Sequence, residues 1–268
     1  MAESFMVKLK NKIKNFRITR SVFAYPYILF MLLFVVIPLA LILVNAFLVD
    51  GKLSFGNFIA LLRDGASLST LLLSFLVGII TTLLCLVIGY PVAYILSKRA
   101  WGGIIVLLFI LPMWVNFLIR TLATRAIFEA LNIDLGLGTV IFGMVYNFLP
   151  FMILPLHTTL TNIDKSYLEA AQDLGADAVT VFIKTTLPLS LPGIISGVTM
   201  VFIPTISTFA ISQLLGGTYL FGDSIYNKFN NGLYGVGSVM SLIMLLLVIV
   251  SNIFISKYNK GEASKNLW

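Results

Sequence analysis

Apolar residues along this chain gather in long runs, with the polar residues collected between them. Six runs approach the length needed to cross a bilayer: Pro26–Phe47, Leu71–Leu96, Gly103–Ile119, Val140–Leu156, Gly193–Leu215 and Val236–Ile255. Crossing about 30 Å of hydrocarbon takes roughly 20 helical residues. Backbone polar groups in hydrocarbon must also be satisfied within the segment, which favours helices. The pattern predicts an all-α integral membrane protein with six transmembrane helices. The third and fourth runs, at 17 residues each, are the shortest. The first follows a basic stretch, as the apolar segment of a signal peptide does. Its 22 residues are too many for such a segment, and no A-x-A cleavage site follows. It reads as a retained span.

One polar interruption carries its own helix punctuation. "SYLEAAQDLGADAVTVFIKTTLPLSLPGI", from Ser166 to Ile194, lies between the fourth and fifth runs. Asp164 or Ser166 can cap a helix N-terminus, and Ser166 with Glu169 fits the S-x-x-E capping box. Tyr167, Leu168, Ala171 and Leu174 recur at helical spacing, and Gly175 offers the left-handed residue that stops the helix. Asp177 can cap a second helix with Val179, Phe182, Ile183 and Thr186 on one face, ended by Pro188 and Pro192. The spacing predicts a short helix–turn–helix.

Composition agrees with the apolar pattern: 59% of residues are hydrophobic and 11% charged, against about 25% charged in soluble domains. Charge placement sets the direction. Lys8, Lys10, Lys12, Lys14, Arg17, Arg20, Lys98, Arg99, Lys165, Lys184, Lys257, Lys260 and Lys265 fall on one side of a six-span chain. Lys52, Arg63, Arg120, Arg125 and Lys228 fall on the other. The excess belongs in the cytoplasm, so both termini and the polar interruption are expected there. The net charge of +7 is thereby explained by topology, and no basic stripe interleaved with aromatics points to nucleic acid. Three regions follow: a basic cytoplasmic arm at 1–25, a transmembrane domain at 26–256 with its loop at 158–192, and a cytoplasmic tail at 257–268. The single cysteine, Cys85, excludes a disulfide framework and a multi-thiolate metal site. His157, the only histidine, reads as structural, so no metal site is expected.

"EAAQDLGADAVTVFIKTTLP" resembles the EAA loop of ABC-importer permease subunits, whose pattern is EAA, three residues, Gly, nine residues, Ile-x-Leu-Pro. Glu169, Ala170, Ala171, Gly175, Leu187 and Pro188 fall in register, and Thr185 stands where the family usually has Ile. "CLVIGYPVAYILSKR" at 85–99, "LPMWVNFLIRTLATRAIF" at 111–128, "LPFMILPLHTTL" at 149–160 and "QLLGG" at 213–217 are similar to segments of spermidine/putrescine permeases of the PotB type. The resemblance implies type I ABC-importer permease architecture, with the loop as a coupling helix seated in a separate ATPase. Glu169 would pair with a basic group there or brace the loop's own backbone. The implied partners are two cytoplasmic ATPase subunits, a second related permease, an extracellular polyamine-binding protein and the lipid bilayer of a bacterial plasma membrane. ATP and Mg would be bound by the ATPase subunits, leaving this chain without a cofactor. No Walker A loop is present: Gly51-Lys52 is followed by Leu53 and has Ala46 in place of the first glycine. The chain is therefore expected to have no catalytic residues and not to be an enzyme.

Candidate pathway residues are polar or aromatic groups within or near the runs. Thr205, Thr208 and Ser212 fall at i, i+3 and i+7 beside Pro204, giving one polar helix face. Such a face suits a pathway wall or small-residue helix packing. Trp114, Asn116 and Tyr146 offer aromatic faces and an amide to ammonium groups, although aromatics also mark the interface. No acid lies near a span midpoint, so Glu129 and Asp223, both expected to be extracellular and solvated, are the candidates for drawing a polycation inward. An ABC permease for another solute, such as an organophosphonate or ferric ion, is the alternative. An ion-coupled secondary transporter fits less well, because no repeat and no intramembrane charge is evident.

Overall fold

A computed structural model describes residues 24–217 and 219–265, with side chains to residue 253. The basic residues of the N-terminal arm lie outside the described residues, as do the side chains of Lys257, Lys260 and Lys265. The chain is helical, with helices α1 Ala24–Phe47, α2 Gly56–Arg63, α3 Gly65–Ser97, α4 Gly102–Trp114, α5 Phe117–Ala130 and α6 Leu137–Thr161. They are followed by α7 Lys165–Asp173, α8 Ala178–Leu189, α9 Leu191–Ser207, α10 Ala210–Leu215, α11 Phe221–Asn230 and α12 Tyr234–Lys265. Among the described residues, four helices (α1, α3, α6 and α12) are long and apolar enough to cross a membrane. Two bent pairs, α4 with α5 and α8 with α9, bring the total to six where each pair is counted as one span.

Two expected spans are broken. The run Gly103–Ile119 ends as a straight helix at Trp114, because Val115 and Asn116 take extended backbone and α5 leaves at 91°. The run Gly193–Leu215 ends at Ser207, where Thr208 is extended with ψ 148°. An apolar run constrains burial and says little about where the axis turns; here Asn116 caps α5 by accepting from the Leu118 N–H at 2.8 Å. Conversely, α3 and α6 run several residues past their apolar cores.

The framework is α3, α6 and α9 packed on one another. Cys85, Met152, Ile153, Leu156 and Val201 form the core of the half nearer α7 and α8. Toward the opposite end, Val77, Met144 and Ile211 share one cluster, and Leu61, Ile206, Phe221 and Met240 another. Gly193 and Gly197, four apart on α9, let it approach α6 closely. A Cβ on Gly193 would stand 2.6 Å from Thr159 Oγ1, and one on Gly197 2.6 Å from Met152 Sδ. Small residues at this spacing allow such packing where no hydrophobic force separates protein from lipid. Helix α1 packs on α12 and leaves most of its apolar surface exposed, as suits a lipid-facing helix.

Candidate functional site

The loop between α6 and α9 is built almost entirely by local chemistry. Asp164 caps α7, its carboxylate accepting the Ser166 N–H at 2.9 Å. The hydrogen bond from Ser166 holds that carboxyl below its ordinary range. Gly175 ends the helix with φ +83°, a left-handed conformation that costs other residues about 1–2 kcal/mol. Asp177 caps α8 by accepting the Thr180 N–H at 3.3 Å, and the same hydrogen bonding lowers its pKa. The expected Ser166–Glu169 capping box does not form. With Asp164 at the cap, Glu169 is the fifth helical residue, too far along to return to the cap backbone.

Glu169 has no hydrogen bond or ion pair among the described residues. It lines a cavity of about 400 Å³ behind α7, with Tyr94, Lys98, Leu160, Lys165 and Thr186. Ala170 and Gly175 are exposed and Ala171 is half-buried, so the small-residue edge of α7 stays open. Around it stand Leu174, 89% exposed, with Tyr167, Val179 and Ile183, each more than half exposed. The expected single apolar face of α8 is split. A π-type turn at Phe182–Thr186 shifts the register, so Val179 and Ile183 point outward while Phe182 and Thr186 turn inward.

The inward side anchors the loop to the bundle. Phe182 packs edge-on against Tyr90 and Tyr94 of α3, with ring centroids 5.9 and 5.3 Å away. Helix α8 carries half-buried Leu187 and exposed Pro188 into a 60° bend onto α9 at Ser190. Ser190 is fully buried and its Oγ lies 2.9 Å from both the Leu187 carbonyl and the Tyr90 hydroxyl. A serine has one proton to give; with it directed to Leu187 O, Tyr90 donates to Ser190. Tyr90, Phe182 and Ser190 thus pin the bend to α3. Phe182 was visible in the sequence as an apolar loop residue, but nothing local marked Tyr90, 92 residues before it, as the shared partner of Phe182 and Ser190.

The pathway candidates do not share a wall. Thr205 is buried and donates to its own helix at Val201 O. Thr208 is the half-buried residue of the break, and Ser212 lies on α10, where it donates to Asp223 Oδ2 at 2.5 Å. The i, i+3, i+7 face therefore does not exist, because the helix that would align it ends at Ser207. Asp223 is fully buried instead of solvated: its Oδ2 also accepts the Leu220 N–H at 2.8 Å and caps α11. Burial pushes its carboxyl up, with the Ser212 and Leu220 hydrogen bonds opposing. Glu129 is exposed but engaged with Arg125 at 2.7 Å, and Arg125 also donates to Leu214 O. Trp114, 84% exposed, and Asn116 lie at the α4–α5 bend. Tyr146 is half-open, but the Arg120 guanidinium sits over its ring at 5.9 Å.

Comparison with known proteins gives this geometry a family. The family of inner membrane components of binding-protein-dependent transport systems matches residues 86–261. The Escherichia coli (strain K12) spermidine/putrescine transport system permease protein PotB is 36% identical over 229 residues, covering 75% of this chain and 83% of PotB. The Haemophilus influenzae protein of the same name is 34% identical over 252 residues, covering 82% and 88%. A chain of the bacterial alginate ABC transporter, solved with an alginate pentasaccharide-bound periplasmic protein, aligns with TM-score 0.62 at 14% identity, covering 88% of this chain and 91% of that one. That likeness concerns the fold. With two thirds of its length matched and the loop, the bends and the spans in order, this chain belongs to the binding-protein-dependent transport system inner membrane components, the permease subunits of ABC importers.

Proposed function

We propose that this permease carries polyamines, spermidine or putrescine, into the cell, driven by ATP hydrolysed on two separate cytoplasmic ATPase subunits. The observation that carries the mechanical part is the loop of α7 and α8: capped at both starts, open on its outer apolar side and pinned on its inner side to α3. An ATPase gripping Tyr167, Leu174, Val179 and Ile183 would bury apolar surface there, with Ala170 and Ala171 permitting close approach. Glu169, free of partners among the described residues, would meet a basic group of the ATPase. Closure of the ATPase then moves α7 and α8 as one body, because Gly175 fixes their angle. Leu187, Pro188 and the Ser190 bend pass that movement to α9, and the Tyr90 pin passes it to α3. Rigid-body transfer of this kind is an established form of coupling.

The substrate reading is supported by the PotB relatives, which are named for spermidine/putrescine transport. A second related permease, an extracellular polyamine-binding protein and a plasma-membrane setting with both termini in the cytoplasm complete it. One observation favours a different solute: Arg120 beside Tyr146 would welcome an anion, such as an organophosphonate, and repel an ammonium. Trp114, Asn116, Thr208 and Tyr146 are the polar or aromatic groups left open enough to touch a solute. ATP-dependent uptake of radiolabelled spermidine by the reconstituted complex decides the matter. Uptake of an organophosphonate in its place would overturn the substrate, and uptake by this chain alone without the ATPase would overturn the mechanism.

A further inference from the structure

Among the described residues, Arg120 has buried guanidinium nitrogens without a partner. Helix α4 has 13 residues, about 20 Å of rise, before it turns through 91° into α5. That is short of the roughly 30 Å hydrocarbon thickness, so the bend and the first turn of α5 lie within the bilayer's depth. Arg120 is in that turn. It lines a cavity of about 420 Å³ whose other walls are Ile105, Leu108, Phe109 and Pro112 of α4 and Tyr146, Leu149 and Pro150 of α6. Tyr146 and Pro150 are the tenth and fourteenth residues of the 25-residue α6, near its middle. The Arg120 Nε and Nη1 atoms are buried and have no hydrogen-bond partner among the described residues. The Tyr146 ring lies under the guanidinium, and at 5.9 Å it contributes little.

We infer that Arg120 is a docking point for a carboxylate on a membrane helix of a different chain, completing a buried ion pair when the two permeases assemble. Two guanidinium nitrogens buried without a partner are costly to desolvate, and an anion supplied by the assembled complex would satisfy them. A lipid phosphate lies at the headgroup level, away from the midpoint of α6. A second copy of this chain offers no free carboxylate there: none of its eleven acidic residues falls within α1, α3, α4, α6, α9 or the apolar part of α12, Glu129 of α5 is paired with Arg125, and Asp223 is held by Ser212 and Leu220. The proposed polyamine substrate carries the wrong sign. A dissimilar permease helix with one intramembrane Asp or Glu has the right sign and depth, and its apolar neighbours would fill the cavity wall. The inference rests on the reading above in requiring a second permease, and it does not depend on the substrate.

The experiment uses the full complex, expressed together with its second permease and purified through a tag on this chain. Arg120→Lys should retain the second permease, while Arg120→Gln and Arg120→Glu should retain about tenfold less or lower still, since breaking a buried pair is strongly destabilising. In the Arg120→Glu background, Lys placed at one intramembrane acid of the second permease should restore it. Independently of Arg120, Leu108→Cys on the cavity wall should form a disulfide with a cysteine placed one helical turn from that acid. Undiminished retention by Arg120→Glu, failure of every charge reversal to restore it, or absence of that cross-link overturns the proposal. So does normal assembly of Arg120→Gln with lost uptake, which assigns Arg120 to an anionic solute instead. Failure of the wild-type complex to take up spermidine would sink the substrate reading and leave these assembly readouts standing.

Discussion

Both ends of the bundle break a span, and they use carboxylates differently. At the end carrying α7 and α8, Asp164 and Asp177 sit at the surface and each caps one helix within its own turn. At the opposite end Asp223 is fully buried and joins two elements, accepting from Ser212 on α10 and from Leu220 at the start of α11. Phe221 beside it donates its N–H to Ser74 of α3, and Lys228 of α11 reaches Asp64 ahead of α3 at 3.0 Å. The first end is a unit made rigid by itself and held to the bundle at a few points, as suits a part moved from outside. The second is woven into the core, as suits a fixed frame. A moving part must be stiff internally and weakly tied; a frame needs ties across the sequence.

If that contrast holds, the largest effect on transport comes from the loop. Glu169→Lys and Gly175→Val should leave membrane insertion unchanged and cut ATP-driven uptake by about tenfold, the scale of a coupling free energy of 1–3 kcal/mol. Normal uptake by both variants in proteoliposomes would remove the functional distinction between the ends. Asp223→Ala should do the reverse. Loss of buried hydrogen bonds to a carboxylate costs about 2 kcal/mol of stability, read as a lowered Tm in detergent, while ATP turnover per uptake event stays as in the wild type. Tyr90→Phe tests the joint between the two ends. It removes one buried donor, worth about 1 kcal/mol, and should lower coupling more than Tm. Lys228→Gln, which breaks a partly exposed pair, should cost about 0.5 kcal/mol and leave uptake unaltered.

Acid should separate the ends by sign. The Asp164 and Asp177 carboxyls are lowered by the hydrogen bonds they accept, so their caps hold above the ordinary value of 3.8 and are lost as pH falls through the lowered values. Asp223 is raised by burial, so its contribution is complete below 3.8 and is lost as pH rises through the raised value. Protection of the Ser166 and Thr180 amides, relative to intrinsic exchange at the same pH, should therefore fall as pH drops below about 4, while Leu220 protection should not fall with them. Parallel behaviour of all three amides would erase the distinction.

The two ends were also unequally legible. The loop's Asp177 cap, the Gly175 stop and the placement of α7 and α8 are short-range features, and they follow from residues within four positions of one another. The capping box at Glu169 was the local reading that failed, since Asp164 rather than Ser166 took the cap and moved Glu169 out of reach. At the other end, the stripe of Thr205, Thr208 and Ser212 failed outright. A helical face exists only while the helix does, and the break at Thr208 is stabilised by contacts far away in sequence. Gly222, for example, is close enough that an added Cβ would come within 2.6 Å of Thr208 O.

By itself, the order of apolar and polar residues determined that the chain crosses a membrane and that one interruption folds into a capped hook. Hydrocarbon length and helix capping act over a few turns, so a one-dimensional pattern suffices to express them. The tertiary structure alone decided where α4 and α9 bend, that Asp223 lies inside, that Tyr90 secures Ser190, and that two Arg120 nitrogens are buried beside Tyr146 without a partner among the described residues. These depend on which distant residues arrive at the same point to satisfy a hydrogen bond or a charge.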